Sequence, residues 1–143
     1  MSIITLYEDT QKYIDMFYTP TITSYEFLKS FFAELYKNNI KEVSRDLSEF
    51  FFNMKKNPKF KDVLLEIKFK SNGIFRYSNE LEDDILTLQN MGLLGKKNPS
   101  FGVILIEYSD SIADETLDTL STDNRQLIQE MVGFYIEENS NLV

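Results

Sequence analysis

Cysteine and histidine are both absent from the 143 residues, and the two gaps remove most of the familiar chemistry of a small protein. Without cysteine there is no disulfide, no thiolate metal ligand and no thiol nucleophile. Without histidine the usual general base, the usual transition-metal ligand and the usual proton switch near neutral pH are missing. Glycine (5) and proline (3) are scarce, which is the composition of an ordered, mostly helical chain and not of a disordered one. No apolar run approaches the roughly 20 residues that a bilayer span requires. The start, MSIITLYEDTQKY, has neither the basic front nor the small-residue cleavage site of a secretion signal. A cytoplasmic protein without membrane contact is expected.

What is present is acid and aromatic. The net charge is −8, unevenly shared: residues 1–70 hold 11 Lys or Arg against 10 Asp or Glu, and residues 71–143 hold 4 against 13. Affinity for nucleic acid comes largely from cations set against phosphates, so the acidic half argues against it. Twelve Phe and eight Tyr supply ample core material, and a chain of this length is most simply one domain burying roughly 70% of its unfolded surface.

The clearest run of ordered signals is FRYSNELEDDILTLQNMGLLGKKNPSFGVILIEY, residues 75–108. Ser78 or Asn79 can cap a helix there, and Glu80, Glu82, Asp83 and Asp84 place negative charge where the first turn and the helix dipole favour it. Leu81, Ile85 and Leu88 fall at i, i+4 and i+7, with Met91 extending the stripe. Gly92 ends the helix, Leu93 and Leu94 return to the stripe, and residues 96–100 form a polar turn before the β-rich run from Gly102 to Tyr108.

Upstream, an apolar face predicts a first helix over residues 3–18, broken at Thr19-Pro20-Thr21. Thr23 and Glu26 have capping-box spacing for a second helix, closed at Asn38-Asn39. Val43, Leu47, Phe50, Phe51 and Met54 predict a third from about Lys41 to Lys55, stopped at Asn57-Pro58. Residues 59–70 fit both periods. A short helix from Pro58 to about Ile67 is favoured over a strand, with a turn at Asn72-Gly73 and a brief strand at Ile74 to Tyr77. Downstream, Asp110 and Ser111 offer a cap for a short helix through Leu120, and Ser121 or Thr122 caps a last one carrying Leu127, Ile128, Met131, Val132, Tyr135 and Ile136.

The expected fold is mainly α with a small antiparallel β-hairpin at about Leu93 to Tyr108. It is one domain: a helical front half (1–56), a winged-helix-like unit (57–108) and C-terminal helices (109–143).

Candidate sites follow from the same residues. The acids Glu80, Glu82, Asp83 and Asp84 suit a basic partner; consecutive helical positions lie about 100° apart, so they do not converge on a metal. Three consecutive aromatics, Phe50, Phe51 and Phe52, cannot all face one core from a single helix, and a partner contact is expected there, with Phe31-Phe32 as a second aromatic belt. Lys96, Lys97 and Asn98, at the tip of the wing-like loop, are the candidate nucleic-acid contacts, and the only dense basic stretch runs from Lys55 to Lys70. Nucleophile elbow, phosphate-cradling glycine loop and zinc motif are all lacking, so neither catalysis nor a cofactor is expected.

The pattern around Leu81, Leu88, Gly92, Leu93, Gly95, Asn98 and Pro99 resembles the last helix and wing of winged-helix proteins. It is also similar to the middle component of three-component ABC-ATPase defence systems of the Lamassu type, and to winged-helix subunits that attach to SMC-like ATPases. The resemblance covers about 35 residues and implies a non-catalytic accessory subunit in antiviral defence, docking a larger ATPase or effector. The alternative is a DNA-binding winged-helix transcriptional regulator that would present residues 79–91 to a groove. Between Tyr77 and Gly95, however, that helix carries no Lys or Arg and could read bases only with Gln89 and Asn90.

Overall fold

A computed structural model describes residues 21–45, 47–74, 76–96 and 102–140. The helix expected over residues 3–18 lies outside them. Helix α1 (Ser24–Lys37) starts as its capping pair predicts, the Thr23 side chain accepting from the Glu26 N–H at 3.1 Å. It ends at Asn38, whose N–H returns to the Glu34 carbonyl, and Asn39 turns the chain at φ 63°, a conformation that asparagine tolerates better than most residues. Helix α1 is the hub: among the described residues it packs against each of the four helices that follow it, against the first of them through Phe27 and Phe31.

The stretch expected as one helix from Lys41 to Lys55 is divided. Residues Glu42–Ser44 form strand β1, and only Ser48–Lys55 form helix α2. The division has a long-range cause, because β1 pairs antiparallel with the distant strand β5 (Val103–Ile106), Val43 opposite Ile104. Lys41 and Arg45 extend the pairing, the Lys41 carbonyl accepting from the Ile106 N–H at 2.8 Å and the Arg45 N–H donating to the Gly102 carbonyl at 2.9 Å.

After α2, a 3-10 turn at Pro58–Phe60 continues as non-helical turns to Glu66, so the short helix favoured for this segment is reduced to its first turn. Strands β2 (Lys70–Ser71) and β3 (Arg76–Tyr77) then make a small antiparallel hairpin around Asn72-Gly73, Gly73 having φ +91°. Helix α3 (Asn79–Asn90) follows with buried Ser78 as its cap, the hydroxyl oxygen accepting from the Leu81 N–H at 3.3 Å. Leu81, Ile85 and Leu88 are its buried stripe. Gly92 takes φ +80°, the Leu93 N–H returns to the Leu88 carbonyl, and Leu93 and Leu94 enter the core as the spacing implies.

Strands β4 (Leu94–Lys96) and β5 are the expected antiparallel pair, and β1 completes a three-stranded sheet of order β1-β5-β4. Helix α4 (Asp110–Asp118) is capped by Ser109, one residue before the expected cap, and α5 (Thr122–Ser140) starts with the Ser121 hydroxyl accepting from the Asn124 N–H. The fold is thus mainly helical with a small antiparallel sheet.

The core is aromatic at its centre. Phe31 and Phe51 meet edge to face at 4.9 Å, Phe27 and Phe51 at 5.6 Å, and Phe50 and Tyr135 at 5.3 Å. Such pairs add about 0.5–1.5 kcal/mol each beyond the area they bury. Buried Tyr108 satisfies its hydroxyl by donating to the Lys29 carbonyl at 2.7 Å, which ties the end of the sheet to α1.

Candidate functional site

The acidic run on α3 spirals apart. Glu80 is half-buried and accepts from the Lys68 backbone N–H at 3.3 Å, while Glu82 is exposed and pairs with Arg45 at 3.0 Å. Asp83 stands in solvent. Asp84 turns inward towards the start of α1, where the Ser24 hydroxyl bonds it and the Ser24 N–H donates to Glu66 at 2.7 Å. Burial raises the Asp84 carboxyl above the usual carboxylate range; the Ser24 bond opposes this, while Asp83, Glu66 and Glu80 reinforce it. Its Oδ2 atom is enclosed without a hydrogen-bond partner. Among the described residues, no group of three or more Asp or Glu is placed to hold a metal ion.

The outer face of α3 therefore presents Glu82, Asp83, Leu86, Thr87 and Asn90. Leu86 is 53% exposed, out of phase with the buried stripe. Met91, which the spacing assigns to that stripe, is 54% exposed at the C-terminal cap of the helix, just before Gly92 turns the chain. Met91 leads into a cleft of about 540 Å³ between α1 and α4, lined also by Tyr25, Lys29, Ile112, Glu115 and Leu120. The Tyr25 hydroxyl donates to Met91 Sδ at 2.9 Å, and its pKa is raised by burial first and by Asp84 second. Carboxylates, exposed aliphatic groups and an adjoining cleft make this face suited to a basic, partly apolar protein segment.

Two of the expected partner-facing aromatics belong instead to the core. Phe51 is fully buried and Phe50 nearly so, as are Phe31 and Phe32 of the other belt, because α1 and α2 pack these rings against one another and against α5. Phe52 is the member of the triplet that turns away, into a contact between elements. It is half-buried on Phe69 at 5.6 Å, with the Arg76 guanidinium 3.9 Å and the Lys56 ammonium 4.7 Å from its ring centre. Arg76 also pairs with Glu49 at 3.1 Å, so the hairpin is clipped to α2.

Lys96 is exposed at the end of β4; Lys97 and Asn98 lie outside the described residues. Ile74, expected as the first residue of a strand, sits instead at the β2–β3 hairpin turn and is 88% exposed. The only sequence signal for it was the Asn72-Gly73 turn. Among the described residues, no helix is long and apolar enough to cross a membrane. The chain matches no known protein family, no curated protein and no solved structure.

Proposed function

We propose that this chain is a non-catalytic adaptor or regulatory subunit acting through protein–protein contacts, with the outer face of α3 as its docking surface. One observation carries the reading: the helix offers solvent carboxylates and the aliphatic groups of Leu86 and Met91, with no cation between Tyr77 and Gly95. From α1 to β5 the order is helix, strand, helix, hairpin (β2–β3), helix, strand, strand; with the hairpin taken as an insertion between α2 and α3, and with β1 pairing β5 beside β4, this supports a winged-helix-like unit. In such a unit α3 holds the position of the recognition helix, here dressed for protein. On the resemblance carried by Leu88, Gly92, Leu93 and Gly95, the partner would be a larger ATPase or effector subunit of an SMC/ABC-type, Lamassu-like defence complex in the cytoplasm.

The test is a tagged pull-down from the native host, using the natural chain and an Asp83→Lys/Leu86→Lys variant. A stoichiometric partner held by the first and lost by the second supports the proposal; no partner for the natural chain overturns it. The same element order favours a second reading, a DNA-binding regulator. Fold does not fix function, and the acids on α3 weigh against duplex DNA.

A further inference from the structure

We propose that two copies of this chain pair about a two-fold axis, the β2–β3 hairpin of each copy docking on the outer face of α3 in the other. The inference rests on the reading of that face as a docking surface, and it names one occupant. The molecule carries a matching segment of its own. Residues 55–76 hold seven Lys or Arg against two Asp or Glu, a balance of +5, whereas the rest of the chain carries −13 of the total −8.

Within that basic island the hairpin has a defined outer side. Phe69 and Arg76 lie against Phe52 on α2. Arg76 pairs with Ser71 in the register, so these two share the face towards α2 and Lys70, opposite Tyr77, lies on the other; Lys68 stands just before β2 with its N–H on Glu80. Both lysines are exposed, and neither makes an ion pair among the described residues. Ile74, 88% exposed at the turn, supplies the apolar tip. Across from it, α3 offers exposed Asp83, also without an ion pair among the described residues, beside Leu86 and Met91. Cation meets carboxylate and aliphatic meets aliphatic.

The topology selects a closed pair. Only Ser78 separates β3 from α3, and the Lys68 N–H donates to Glu80, so the hairpin stands beside the first turn of the acidic helix. A two-fold axis then satisfies both contacts at once, with the same patch used by each copy. Both copies are net acidic, so the attraction is short-ranged: it survives where charges meet within the roughly 8–10 Å screening length and fades as salt shortens that length. A patch of this kind lies at the small end of specific interfaces, which makes the dimer concentration-dependent.

Sedimentation velocity on the full chain tests it. In about 50 mM salt the mass should rise towards twice the monomer as concentration increases, and in about 500 mM salt it should return to the monomer. Lys68→Glu/Lys70→Glu and, separately, Asp83→Lys/Leu86→Lys should each weaken association at least about ten-fold. Circular dichroism checks that each variant folds. Mixing the two variants should restore a dimer, because each reversed patch then meets its complement. A chain that stays monomeric at low salt overturns the dimer, as does a dimer indifferent to salt and to both variants, or a mixture that does not reassociate. If Asp83→Lys/Leu86→Lys still abolishes capture of a host partner while the natural chain is monomeric, the dimer fails and the docking-face reading stands.

Discussion

Asp84 shows how one side chain can be set against its surroundings. Its carboxyl is raised above the usual range by burial and by neighbouring acids, and one oxygen has no partner. Between the ordinary value and the raised one the folded chain binds more protons than the unfolded chain, so stability falls as pH rises through the raised value. Asp84→Asn keeps an oxygen for the Ser24 hydroxyl and removes the charge. It should stabilise the protein near neutral pH by about 0.5 kcal/mol, a modest gain because the group is part exposed and the new amide lacks a partner. Urea titrations from about pH 4 to about pH 7 should show an unfolding free energy that falls with pH more steeply in the natural chain than in the variant. Tyr108→Phe tests the opposite kind of residue, a satisfied one. Losing its 2.7 Å bond to the Lys29 carbonyl should cost about 1 kcal/mol, a moderate loss because that carbonyl lies inside α1 and keeps its helical partner, read as a lower thermal midpoint.

At the scale of elements, α2 divides its three phenylalanines between two tasks. Phe51 is wedged among Phe27, Phe31 and Phe50, so Phe51→Ala opens a cavity at the centre and should cost about 3–5 kcal/mol, measured by denaturant unfolding. Phe52 instead holds the β2–β3 hairpin through Phe69 and Arg76. Phe52→Ala should cost only about 1–2 kcal/mol, because the site is half-exposed and its neighbours can relax. Its signature should be local: amide exchange faster at Lys70 to Tyr77 and little changed in α1. Equal losses and global exchange in both variants would contradict this division.

For the whole molecule, the sign and placement of charge decide what it can approach. The half that contains α3 is the acidic one, and its exposed face has no cation to offer a phosphate. No duplex binding is expected at physiological salt, and weak binding at low salt should trace to the Lys55–Lys70 stretch or to Lys96 and Lys97. A gel-shift titration with Lys96→Glu/Lys97→Glu checks it. Tight, sequence-selective binding that this change abolishes would put the DNA-binding regulator first.

Local chemistry by itself determined the caps and stops: Thr23 with Glu26, Asn38, Ser78 and Gly92 act within a few residues of themselves and need no distant partner. The stripe of α3 and the β4–β5 pair were legible for the same reason, since their periods or turn signals run long enough to show. Only tertiary structure decided β1, because three residues are too few to display a strand period and their hydrogen bonds are completed by β5 from the far end of the chain. It likewise decided that Phe50 and Phe51 are core while Phe52 supports a hairpin, and that Leu86, Met91 and Ile74 meet solvent. Burial is a property of the packed neighbours, and identical side chains side by side in the sequence carry no mark of which neighbour each will find.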